Sequence, residues 1–154
     1  MDNKAKNELL YASLERAAEQ LGDITPHVMD RYYAILPEAR RHFRELHEWN
    51  QGALEGAMVE QTLYCLMEWF ECPGEVEIIL LTTVPHHLDT LDVPAELFAG
   101  LIDAVCETVV STIPEQAVDE LGVWDELLKA MHGLVDREVA YARKYRTRVT
   151  AAAT

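Results

Sequence analysis

Residues 86–98 read HHLDTLDVPAELF, and the reading of this stretch decides the fold. Two adjacent histidines close one apolar segment. Seven residues after His87, Pro94 opens the next, PAELFAGLIDAVCETVVSTI (94–113). Proline holds φ near the helical value and has no N–H to leave unpaired, so it suits the first turn of a helix. The stretch is therefore a corner between two helices, with a pair of imidazoles on its near side. Consecutive side chains on a helix diverge by about 100°, so at most one of His86 and His87 naturally faces a given pocket.

Working outward, apolar residues recur at three- and four-residue spacing on both sides, the pattern of amphipathic helices. After the corner, Leu97, Phe98, Leu101, Val105, Val109 and Ile113 share one face, and Pro114 stops that helix. A long last helix over about residues 120–146 carries Leu121, Trp124, Leu128, Met131, Val135 and Val139, and RTRVTAAAT at the end is expected to fray. Before the corner, a helix begins near Val76 and has Pro85 near its end. ECPGE (71–75) separates it from a helix over about residues 52–70, with Asn50 as N-cap and Leu54, Met58, Cys65, Leu66 and Trp69 as a buried stripe.

Further upstream, RELHEWNQG (44–52) is polar and irregular, and PEARRHF (37–43) is a short helical turn opened by Pro37. Thr25 is expected to cap a helix that starts at Pro26 and carries Val28, Met29, Tyr32, Tyr33 and Ile35. A first helix carries Leu9, Leu10, Leu14, Ala17, Ala18 and Leu21 and breaks at Gly22-Asp23. Nothing alternates with the period of a strand. The expectation is an all-α single domain of about six to eight helices, with its core over about residues 8–145.

A chain of 154 residues is long enough for one proper core. Its net charge of −14 would repel nucleic-acid phosphates, so no nucleic-acid partner is expected. No run approaches the roughly 20 apolar residues of a membrane span, and MDNKAKNELL has no apolar signal core; no membrane partner and a cytoplasmic address are the expectation. Three scattered cysteines make no disulfide framework and no C-x-x-C pair, so Cys65 and Cys106 are read as small core residues. Five of the thirteen Lys and Arg residues gather at the end of the last helix, where cations suit the negative end of the helix dipole.

Phosphate loops, H-E-x-x-H, G-x-S-x-G and paired-carboxylate motifs are absent, which leaves no catalytic residue to name and turns attention to six histidines. His27, His42 and His47 are expected at the surface, and His132 at the edge of the core. His86-His87, at the corner, stands apart.

Set beside Pro37, Phe43, Val93 and Pro94, that corner gives the chain its likeness: over about residues 8–145 it resembles a bacterial single-domain globin. The GDITP break (22–26), the proline that opens a short third helix, the aromatic Phe43 six residues later, and a histidine followed by Val93 and a proline-led helix come in the order of the globin plan. The resemblance implies a haem b cofactor with His87, or alternatively His86, as the iron ligand. It implies that Phe43, Val93, Phe98 and Leu101 pack against the ring, with Met29, Leu54 and Met58 on the opposite side.

This sequence departs from the family pattern in three places. The helix that should face the gas carries no histidine, Met29 stands where many bacterial globins have tyrosine, and Thr82 and Thr83 replace aliphatic residues before the histidines. Gln51 or Gln61 would supply a hydrogen-bond donor only in another register. A pocket without donors stabilises bound oxygen weakly and favours CO or NO by comparison. The implied function is reversible binding of a diatomic gas (O2, NO or CO) for transport, sensing or detoxification. Enzymatic turnover, of the NO dioxygenase kind, would need an external reductase, and sensing would need a separate signalling partner. A homodimer through the last two helices is a further implication. The alternative is a haem-free globin-like regulatory or protein-interaction module.

Overall fold

The computed structural model describes residues 1–46 and 49–153. Seven α-helices and one π-helical turn follow one another, and among the described residues there is no strand. They are α1 (Asn3–Leu21), α2 (Thr25–Ile35), α3 (Ala39–Leu46), α4 (Gln51–Glu68), α5 (Pro73–Pro85), the π turn (His86–Thr90), α6 (Ala95–Val110) and α7 (Val118–Ala152). The all-α expectation of six to eight helices holds. None of the helices is long and apolar enough to cross a membrane among the described residues.

Local chemistry explains most boundaries. Asp2 caps α1 by accepting the Ala5 N–H at 2.8 Å. Gly22 ends α1 with φ of 69°, a left-handed turn that glycine takes without strain. Thr25 is the first residue of α2 and not its cap. The carboxylate of Asp23 takes the Thr25 N–H at 2.9 Å, and that bond holds the Asp23 pKa below its ordinary value. Asn50 does stand at the N-cap of α4, with no side-chain capping bond. Pro73 starts α5 inside ECPGE, three residues before Val76, because proline favours the first helical turn. The last helix does not fray where expected. α7 runs 35 residues to Ala152, a rod of about 52 Å at 1.5 Å per residue.

The core is one contiguous cluster drawn from every helix, with Leu10, Leu66, Leu127, Met131, Trp124 and several valines almost fully enclosed. Cys65 and Cys106 are buried in it, and burial pushes both thiols up, Cys106 to about 12. α2 packs closely on α6 at Gly100. A Cβ there would meet the Leu36 Cδ1 at 2.3 Å and the Tyr32 ring at 3.4 Å, so only glycine allows this approach without a shift of Leu36. The Tyr32 hydroxyl then donates to the Leu97 carbonyl at 2.6 Å and pins the two helices together.

Candidate functional site

The corner at residues 86–98 is built by a change of helical pitch. Past Pro85 the chain widens into the π turn, in which the Leu91 N–H donates to the His86 carbonyl five residues back at 3.1 Å. The Val93 N–H reaches the His87 carbonyl at 2.8 Å, and Asp92 takes a left-handed φ of 52° to close the turn. π turns re-aim side chains and concentrate at functional sites. From outside, Arg146 of α7 holds this turn: its guanidinium donates to the Leu88 carbonyl at 3.0 Å and pairs with the Asp89 carboxylate.

The widened turn separates the two histidines. His86 is exposed and outside any apolar pocket, whereas His87 is half-buried and faces one. The Nδ1 of His87 lies 2.8 Å from the Thr83 carbonyl oxygen. A carbonyl can only accept, so Nδ1 carries the proton and Nε2 keeps its lone pair. Burial lowers the His87 pKa, partly opposed by the Thr83 bond, and His86 nearby lowers it further. The ring is therefore neutral near pH 7, and it packs edge-to-face with Phe98, ring centroids 5.0 Å apart at 75°.

The cavity in front of His87 has a volume of about 100 Å³, below the roughly 300–1,000 Å³ usual for small-molecule and cofactor sites. Its walls come from six helices and the corner. Phe43, Leu54, Met58, Val93, Phe98 and Leu101, all expected at the site, line it together with His87. Phe43 is held by edge contacts with Tyr32 at 6.1 Å and Tyr33 at 6.0 Å. Leu54 and Met58 are half-buried at this lining.

Three residues stand elsewhere than expected. Met29 is not a lining residue; it is 3 % exposed within the core cluster. Tyr32, three residues on and on the same face of α2, lines the pocket in its place, brought there by its bond to Leu97. His42 is half-buried and lines the pocket too, although it was expected at the surface. Its neighbour Phe43 is the hint in the sequence, since both residues of the short α3 border the same pocket. Tyr33 is a packing residue: its hydroxyl donates to Glu55 at 2.7 Å, and Arg40 lies 4.2 Å over its ring. His47 lies outside the described residues.

Most polar groups in the walls are already used. Thr62 donates to the Met58 carbonyl at 2.8 Å, Thr83 to the Ile79 carbonyl at 2.6 Å, and Tyr32 to Leu97. Of the two threonines that stand in place of aliphatic residues, Thr83 lines the pocket with its hydroxyl bonded to Ile79, and Thr82 is exposed and outside the lining. Gln51 turns to Glu55 at 2.8 Å and does not line the pocket. Gln61 does line it, with only a long 3.9 Å contact to the Cys65 sulfur. Among the described residues, an incoming molecule therefore meets an apolar slot with three polar groups: the Nε2 of His87, the His42 ring and the Gln61 amide.

One other group brings ligand-type atoms together. Glu68, Cys72 and Glu75 converge within 4.8 Å at the corner between α4 and α5. The Tyr64 hydroxyl already binds Glu75, and the cluster lies at the surface, so it is read as solvated. Comparison with protein-family models, with curated proteins and with solved structures finds no match.

Proposed function

We propose that this chain is a globin-like haem protein that binds haem b through His87 and reversibly holds a diatomic gas. The observation that carries this reading is the His87 imidazole, which lines an apolar pocket with its Nδ1 committed to the Thr83 carbonyl and its Nε2 lone pair left over. A haem iron needs one axial nitrogen lone pair whose other ring nitrogen is fixed by a hydrogen bond. The flat ring needs flat apolar partners, which Phe43 and Phe98 supply. The residues present fit the group in their chemistry, and the walls of the roughly 100 Å³ cavity must part to admit the ring. The order of Pro37, Phe43, His87 and Pro94 along an all-helical chain supports the same reading.

Bound haem would supply an iron site for O2, NO or CO. Around it, the chain's own residues exclude water and fix the imidazole. With Tyr32 committed to Leu97, the donors that remain for a gas are Gln61 and His42. Such a sparse set favours CO and NO over oxygen by comparison. Transport, sensing and NO detoxification remain the roles this site serves, with any reductase or signalling partner supplied from outside the chain.

Addition of hemin to the purified chain tests the proposal. An intense Soret band saturating at one haem per chain is expected. Absence of that band with excess hemin would return the reading to a haem-free globin-like module.

A further inference from the structure

Beyond the pocket, exposed apolar residues gather on one face. Ile78 and Leu81 of α5 are 64 % and 49 % exposed, and Tyr141, Tyr145 and Val149 of α7 are 62 %, 62 % and 53 % exposed. Ile78, Leu81 and Tyr141 line a single shallow groove, floored by Gly74 and Glu138. The two helices run side by side in the same direction: Arg137 reaches Glu77 at 3.6 Å, and Arg146 reaches Leu88 further along. Tyr141, Tyr145 and Val149 are spaced four residues apart, so they continue the groove as one stripe along α7. Scattered apolar residues need no explanation, but a contiguous stripe marks an interaction surface.

Charge selects the partner. Residues 143–152 hold Arg143, Lys144, Arg146 and Arg148, with no acidic residue, and none of them is buried. Taking those four cations from a net charge of −14 leaves −18 on the rest of the chain. The start of α5 carries the complement: Glu75 is exposed, with one carboxylate oxygen bonded by Tyr64, and Glu77 stands beside the groove. These carboxylates would repel an anionic lipid surface from the same stripe. A second copy of this chain offers both the apolar groove and the acids.

We propose that the α5–α7 groove is where a second copy docks, in an antiparallel pair with its two-fold axis beside Tyr141. Tyr145 lies about 6 Å along α7 from Tyr141, and Arg137 lies about 6 Å the other way. An antiparallel copy therefore brings Tyr145 to the level of the partner's Ile78, and Val149 to the level of the partner's Gly74. Lys144 and Arg148, one turn apart beside the stripe, come to the levels of the partner's Glu77 and the partner's Glu75. The same contacts recur on the other side of the axis, as an isologous pair requires. This face differs from the α6–α7 surface that the family resemblance implies.

Sedimentation of the full chain over a range of concentrations tests the pairing. A monomer–dimer equilibrium weakened by salt is expected. Arg148→Glu and Glu75→Arg should each weaken the dimer by about tenfold or more, and the two together should recover most of that loss. Tyr141→Asp should give a monomer with unchanged helical circular dichroism. A chain that stays monomeric at every concentration overturns the proposal. So does a dimer indifferent to all three substitutions, or a monomer that binds phosphatidylserine vesicles through Tyr145 and Arg148.

Discussion

His87 Nδ1 lies 2.8 Å from the Thr83 carbonyl oxygen, and this bond determines what the imidazole can do. It fixes the tautomer and leaves the lone pair on Nε2. Nitrogen-15 NMR of the haem-free chain should therefore show a protonated Nδ1 and an unprotonated Nε2 at His87. The opposite tautomer would remove the basis for axial ligation.

Stability should fall as the pH is lowered through the histidine range. Burial holds the folded His87 pKa below its unfolded value, so the unfolded chain binds the proton first as pH falls. The folded state keeps its full advantage above the unfolded pKa and loses it below. Urea unfolding at about pH 7.5 and about pH 5.5 measures this, and His87→Phe should flatten the dependence relative to the parent chain. An equal slope in both would assign the effect to other groups.

Arg146→Ala should loosen the turn that carries His87. The guanidinium is largely exposed, so global stability should drop by no more than about 1 kcal/mol. Hydrogen exchange at residues 86–91 should rise more than elsewhere in the chain, and bound haem should dissociate faster. Unchanged exchange in that turn would show the contact to be incidental.

Tyr32 and Gln61 should behave oppositely. Tyr32→Phe removes a buried bond to Leu97 and should cost about 1 kcal/mol of stability with little change in gas dissociation. Gln61→Leu should leave stability nearly unchanged and speed the release of oxygen more than that of CO, because the amide is the open donor on α4. Equal release rates in Gln61→Leu and the parent chain would hand the donor role to His42.

Much of this was legible in residue order. Proline-led helix starts at Pro26 and Pro94 and the apolar stripes follow from local chemistry, and so does the corner that carries His87, whereas Pro73 opens α5 three residues before the expected Val76. The choice between His86 and His87 was not legible, because a π turn breaks the 100° spacing on which helical-face arguments depend. Tyr32 and Met29 share a face of α2, and only the Tyr32–Leu97 bond and the closeness allowed by Gly100 decide which meets the pocket. The helical end of α7 is hidden in the sequence because it carries no apolar stripe, while Arg146 ties it to the π turn and Ala and Arg favour helix by themselves.

The central claim is that His87 and not His86 holds the haem iron. Its most direct measurement is the visible spectrum of hemin-loaded His87→Ala and His86→Ala beside the parent chain. The account predicts a Soret band lost or shifted in His87→Ala and kept in His86→Ala, with added imidazole restoring the His87→Ala spectrum. A parent-like spectrum in His87→Ala would contradict it.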